Sequence, residues 1–243
     1  LPLRILPVSS TVVPATHSVS IYSYYDVHEI DAVNLLSGGQ RWYGELFDTE
    51  LQRVININVP NIDGSVPAYF EVSIASSANT SSGTSHSYSV NGTSIGSFSL
   101  PVASDYARQE MLMTLNSPPS NLPLLISVNR DAPSTLTYLD RILLNARRQL
   151  VFVGTQINFR DLNSIGVGSV SEFTIQNLPS SQGFVWEITD RHQPFAVEGT
   201  FSGSNFTFRL PTDNLREFVA SDGVNFYEPT KVGEVVNQNL HEL

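Results

Sequence analysis

The strongest limit on this fold is how often turn residues interrupt the chain. Fifteen glycines and fourteen prolines, with many serines and asparagines, cut it into short runs rich in Val, Ile, Thr, Phe and Tyr. Apolar and polar residues alternate in SVSIYSYY (18–25), RVININV (53–59), AYFEVSIAS (68–76), QEMLMTLN (109–116), LPLLISVN (122–129), SEFTIQN (171–177) and FVWEIT (184–189). A period of two gives a strand one buried and one wet face, as in antiparallel sheets. The chain is therefore expected to be all-β: an antiparallel, jelly-roll-like β-sandwich followed by a smaller β-sandwich unit.

Local turn chemistry adds detail. SHSYSVNGTSIGSFSL (85–100) sets Asn91-Gly92 between two alternating runs, and Asn-Gly supplies the positive φ angles of a type I′ hairpin. A second hairpin is predicted over 194–211, with Ser202-Gly203-Ser204-Asn205 as a loop of three or four residues. SSANTSSGT (76–84), with one Ala as its only apolar residue, is expected to be a surface loop. The best boundary lies in DLNSIGVGS (161–169), which predicts a sandwich over 1–165, a small β domain over 166–230 and a terminal segment over 231–243.

One stretch resists the pattern. In YLDRILLNARRQL (138–150), Leu136, Leu139, Leu143, Ala146 and Leu150 share a face at helical spacing, with Asp140, Arg141, Arg147 and Arg148 mostly opposite. Basic residues near its end would suit a helix dipole. As a strand, the same residues put Leu139 and Leu143 on one face and Ile142 and Leu144 on the other, which fits burial on both sides. Periodicity leaves both readings open.

Composition removes several classes of function. A net charge of −10 gives no long-range attraction to a phosphate backbone, so no nucleic-acid partner is expected. No apolar run approaches the ~18–20 residues of a transmembrane helix. The chain has no cysteine, which removes disulfides, thiolate metal sites and a cysteine nucleophile. It begins LPLRILPV and ends NQNLHEL, and is expected to be a piece of a longer protein.

Candidate chemistry is sparse. Asp26, His28 and Glu29 cluster in DVHE, but no HExxH or other ligand spacing follows, and a solvated cluster is the preferred reading. There is no GxSxG elbow, and GVGS (166–169) lacks the third glycine and helix of a phosphate cradle. No cofactor, metal or catalytic residue is assigned. In RWYGE (41–45), Trp42 and Tyr43 face opposite ways on a strand. One belongs in the core; the other is a sugar-stacking surface or, preferably, a hydrogen-bonded anchor. Trp186 alternates with Phe184 and Ile188 and is expected in the core, while Asp190 is placed to cap the following turn. Arg141, Arg147, Arg148 and Arg160 form a loose basic group that either pairs with acids or docks a partner.

Several of these segments, in this order, resemble the region upstream of the catalytic domain in PorU-like sortases of the type IX secretion system, which are gingipain-type cysteine peptidases. The matching stretches are RWYGE (41–45), YLDRILLNARRQL (138–150) with FR at 159–160, VWEITD (185–190), LREFVASDG (215–223) and VGEVVNQNLHEL (232–243). The last looks like the junction at which a peptidase domain begins, so 231–243 is expected to lead into a catalytic domain outside this sequence. In that family the catalytic His and Cys lie downstream, and His241 does not match the catalytic His. The resemblance thus implies a noncatalytic accessory region of a cysteine endopeptidase. Implied partners are its own downstream peptidase domain and secretion partners or cargo signal domains, with glycan or lipopolysaccharide as a further candidate. The implied location is exported, in the periplasm or at the outer-membrane surface of a Bacteroidota bacterium. The resemblance also favours the strand over 138–150. Trp42, Tyr43, Arg147 and Arg148 are taken as the candidate contact surface. The main alternative is a carbohydrate-binding jelly-roll module, motivated by Trp42, Tyr43 and the tyrosines at 22, 24 and 25. A β-repeat adhesin ranks last, because its blade-like motif VWEITDRHQPFAVEG occurs once.

Overall fold

A computed structural model describes residues 5–35, 37–38, 41–77, 83–103, 105–130, 132–226 and 228–234. The chain enters through β1 (Leu6–Val8) and β2 (His17–Val19), then runs along β3 (Ile21–Glu29). A short β4 (Leu46–Phe47) precedes β5 (Gln52–Asn58) and β6 (Ala68–Ser76). The hairpin of β7 (Thr84–Val90) and β8 (Thr93–Leu100) is followed by β9 (Ala107–Leu115), β10 (Asn121–Arg130) and the longest strand, β11 (Thr137–Gln149). Then come β12 (Gln156–Arg160), β13 (Val170–Ile175), β14 (Phe184–Glu187), β15 (Phe195–Val197), β16 (Thr200–Ser202), β17 (Asn205–Pro211) and β18 (Glu217–Ser221). The all-β expectation holds, and among the described residues no helix is long and apolar enough to cross a membrane.

The strands form four sheets that pack in pairs. Sheet β5-β10-β7-β8 closes on β3-β11-β6-β9 around Phe70, Tyr88, Leu124, Ile126, Leu139 and Ile142. Sheet β1-β15-β14-β18-β12 closes on β16-β17-β13-β2 around a ring-rich core. There Phe159 stacks on Phe218 at 5.0 Å and Phe173 on Phe208 at 5.1 Å.

The second sandwich is not built from the C-terminal part alone. Strands β1, β2 and β12 belong to it, and β1–β15 and β2–β13 are parallel strand pairs, whereas the other strand pairs are antiparallel. The expected division at 165 therefore falls between β12 and β13, inside one sandwich. A three-residue alternating run carries no information about a partner more than 150 positions away, so only tertiary pairing recruits it. The chain crosses between the sandwiches twice, just before β3 and just after β11. These two strands are paired continuously from Ile21↔Gln149 to Glu29↔Arg141.

β11 settles the ambiguous stretch as a strand. Leu139 and Ile142 both point into the first core although they are three residues apart, which a regular strand forbids. A bulge between Leu139 and Arg141 resolves this, because Asp140 has no partner on β6 and the inward phase changes parity. From there Ile142, Leu144, Ala146 and Arg148 are the buried series. The mixed apolar pattern is therefore a start buried on both faces, Thr137 to Asp140, joined at the bulge to a strand with one buried face.

Both predicted hairpins are present. Val90 pairs with Thr93, with Asn91 at φ 48° and Gly92 at φ 78°, as type I′ geometry requires. The second is tighter than expected: Ser202 and Asn205 pair, which leaves the two-residue turn Gly203-Ser204. The predicted loop over 76–84 lies largely outside the described residues. Trp186 corrects a core assignment. Val185 and Glu187 are the buried residues of β14, and Trp186 stays half-exposed beside Phe184, with ring centroids 4.8 Å apart. Period two was right and its phase was wrong, because both faces of that run carry apolar groups. Asp190 does cap its turn, accepting from the His192 amide at 2.9 Å.

Phe173 is 1 % exposed and touches Phe159, Phe208 and Phe218. Phe173→Ala is expected to lower unfolding stability by about 3–5 kcal/mol, read as a drop in the midpoint of a denaturant titration.

Candidate functional site

Two of the quoted motifs meet in space. The segment carrying RWYGE runs along the start of β11. The Gly44 amide donates to the Leu139 carbonyl at 2.8 Å, and the Leu139 amide donates to the Glu45 carbonyl at 2.9 Å. A Cβ on Gly44 would lie 2.9 Å from the Ile30 Cβ and from the Ile30 carbonyl oxygen, so the position needs glycine. Tyr43 is buried and meets Tyr138 edge-on at 6.4 Å, and burial raises its phenol pKa. Glu45 Oε1 lies 2.6 Å from His28 Nε2, which removes His28 from the imagined DVHE site.

The bulge residue Asp140 anchors the same region. Its buried carboxylate accepts from Ser73 Oγ at 2.7 Å and from Arg108 Nη2 at 3.3 Å, with Arg41 Nη1 at 3.5 Å. Arg108 also pairs with Glu110, and Arg141 bridges Glu71 and Glu110. A buried carboxylate needs this compensation, since an unpaired one is costly. The arrangement is structural: every charge in it is paired within the chain.

The loose arginine group separates into different roles. Arg147 Nη1 donates to Asp161 Oδ1 at 2.5 Å and to Ser23 Oγ at 2.7 Å, and its Nη2 donates to the Ile21 carbonyl at 2.8 Å. Arg160 pairs with Glu217 at 2.8 Å and lies 4.4 Å over the Tyr25 ring. Arg148 differs. It is 6 % exposed, its guanidinium carbon sits 5.4 Å from the Tyr24 ring and 5.9 Å from the Tyr22 ring, and it makes no ion pair among the described residues. Its Nε and Nη2 are themselves buried and have no hydrogen-bond acceptor among the described residues. Register explains the contact, because Tyr22 is directly opposite Arg148 and Tyr24 is its diagonal neighbour.

These side chains line a cleft of about 540 Å³ between β3 and β12, where the sandwiches meet. Tyr24, Tyr25, Asp26, Arg148, Arg160, Arg191 and Glu217 reach it. Burial, then Asp26, pushes the Tyr24 phenol up to about 12, so its proton stays on at neutral pH. The sequence singled out Arg148 for the wrong reason, as a surface group. The missed signal was its spacing from Arg147, since adjacent strand residues face opposite ways.

Of the candidate contact surface, Trp42 is 44 % exposed and Arg147 is half-buried in its ion pair, whereas Tyr43 and Arg148 are buried and not on an open face. The rings proposed for sugar stacking do not form one platform. Tyr22 and Tyr43 are buried, Tyr24 packs against both cores, and Tyr25, though 49 % exposed, has Arg160 over one face of its ring. Among the described residues no three His, Asp or Glu side chains converge as metal ligands. His241 and most of 232–243 lie outside the described residues.

His86 is a second group the sequence did not flag. It is 1 % exposed, tilts against Phe98 at 5.2 Å, and neither ring nitrogen has a partner among the described residues. Burial lowers its pKa to about 4. The unfolded chain, with His near 6.5, then binds the proton more readily than the folded one. Stability contributed by the neutral ring is full above about pH 6.5 and falls by about 3 kcal/mol as pH drops to about 4. In denaturant titrations at pH 7 and pH 4.5, His86→Phe is expected to remove most of this acid loss.

No family model and no curated protein matches this chain. The crystal structure of dimeric latent PorU from Porphyromonas gingivalis is similar over 100% of this chain and 24% of its own, with a TM-score of 0.79 and 22% identity. The chain thus spans about a quarter of that protein, and the likeness establishes the shared fold. A carbohydrate-binding module from Cellvibrio mixtus lichenase 5A, in complex with cellotriose, covers 39% of this chain at a TM-score of 0.27 and 16% identity, too low to carry weight.

Proposed function

We propose that this chain is a noncatalytic accessory β region of a PorU-like sortase. Its paired sandwiches would hold a following cysteine peptidase domain in place, or contact secretion partners and cargo. The observation that carries the proposal is the extent of the structural match, which takes in the whole chain with both sandwiches. The absence of cysteine from all 243 residues supports it further, since a cysteine peptidase must keep its nucleophile elsewhere. The same reading places the chain outside the inner membrane, in the periplasm or at the outer-membrane surface. A glycan-binding module is less well supported, because its aromatic residues are dispersed and two are buried.

The decisive test is the parent gene. The next ~150 residues, one ordinary domain's worth, are expected to encode a peptidase domain with a catalytic His and Cys. Co-expressed with that domain, this chain is expected to co-purify with it and to cleave no peptide alone. A parent lacking the domain, or a folded chain that binds neither the domain nor secretion partners, overturns the proposal.

A further inference from the structure

We infer that the outer face of β14, around Phe184 and Trp186, is the surface on which the next domain of the same polypeptide docks. This rests on the reading proposed above, that a further domain follows, and it names the contact. An antiparallel sheet with one wet face carries polar groups on its outside, and β14 breaks that rule. Val185 and Glu187 are its buried residues, so Phe184 and Trp186 project outward, with ring centroids 4.8 Å apart. Register puts Ala196 of β15 and Val219 of β18 on either side of Trp186. These neighbouring outward positions are all apolar and only partly covered. A contiguous exposed apolar patch of this kind marks an interaction surface.

What covers the patch follows from where the chain goes after β18. It enters a pinned turn. The Asp222 amide donates to the Thr155 carbonyl at 3.0 Å, and the Asp222 carboxylate accepts from the Val224 and Asn225 amides, each at 3.0 Å. Gly223 sits at φ 72°, and a Cβ there would lie 2.1 Å from the Gln182 carbonyl oxygen, so the turn needs glycine. The turn delivers Phe226 onto Phe184, with the rings nearly parallel and 6.3 Å apart. Val224 and Phe226 are each 62 % exposed, so the apolar patch continues along the departing chain. This chain covers 24% of the PorU structure it resembles, so most of a protein of that length lies outside it. A domain joined through this segment starts beside the patch, and a tether holds it there at high effective concentration. A second copy is the weaker occupant, because two chains of net charge −10 repel each other. The docking surface must itself be apolar: a charge pressed against these rings would lose its water and gain no partner.

The test is hydroxyl-radical footprinting of this chain alone beside the longer polypeptide that continues past residue 243. Trp186 and Phe226 are expected to be oxidised several-fold more slowly in the longer polypeptide, relative to Tyr69, which is exposed on β6 of the first sandwich. Equal oxidation of Trp186 and Phe226 in the two samples overturns the inference. A second arm titrates the next domain, made separately, with this chain. Where the two bind, Trp186→Glu is expected to weaken them by about tenfold or more, and Tyr69→Glu to leave them unchanged. Affinity unchanged by a folded Trp186→Glu overturns the inference. Should that variant fail to fold, Val219→Glu takes its place, and footprinting of the unaltered polypeptide decides without either. Sedimentation of this chain alone checks for a second copy: a dimer that Trp186→Glu abolishes overturns the assignment to the following domain. The two readings fail separately. A following domain that is no peptidase removes the proposed function, while the footprint still decides this inference. A bound peptidase domain that leaves Trp186 fully reactive removes this inference alone.

Discussion

The pairing of β3 with β11 is the constraint on which the rest of the structure depends. Both strands belong to the first sandwich, yet each is continuous with a segment that enters the second: Val19 before β3, and Leu150 and Phe152 after β11. Nine paired positions hold the two crossings side by side, from Ile21↔Gln149 to Glu29↔Arg141. Arg147 fastens the junction by joining Ser23, the Ile21 carbonyl and Asp161 beyond β12. Asp161 is almost wholly buried, so this is a low-dielectric pair whose loss would strand a charge. The sandwiches are thus connected by two strands and an ion pair, and a floppy linker plays no part.

A consequence is the cleft. Two sandwiches fixed by a narrow double crossing leave a gap beside it, and the residues at the crossing line that gap. Arg147 and Arg148 are adjacent on one strand and so face opposite ways, one locking the junction and the other lying in the gap. Tyr22 serves the second core on one side and the Arg148 guanidinium on the other. The groups that position the units are therefore the groups that give the space between them its chemistry.

At the other end of β11 a single extra residue does comparable work. The bulge at Asp140 lets Leu139 and Ile142 share a core and turns a carboxylate toward Ser73, Arg108 and Arg41. It also offers the Leu139 backbone to the RWYGE segment. Two stretches about a hundred positions apart in the chain are thereby one structural unit.

Much of the fold was legible in the sequence. Alternation marked most of the longer strands, Asn91-Gly92 fixed a turn by its backbone requirement alone, and the arginines at 147 and 148 were visible as candidates. What was not legible has one physical cause. Period two tells that a strand has two faces, but not which face is buried or which strand lies beside it. So Trp186 was assigned to the wrong face, the strands at 6–8 and 17–19 could not be given to the second sandwich, and the bulge that makes β11 look helical was hidden. The sequence by itself determined the class of fold, its local turns and the absence of a cysteine nucleophile, since these follow from residue chemistry and short-range geometry. Only the tertiary structure decided the partners of the short strands and the placing of Arg148 against Tyr22 and Tyr24. Those depend on contacts between residues more than a hundred positions apart.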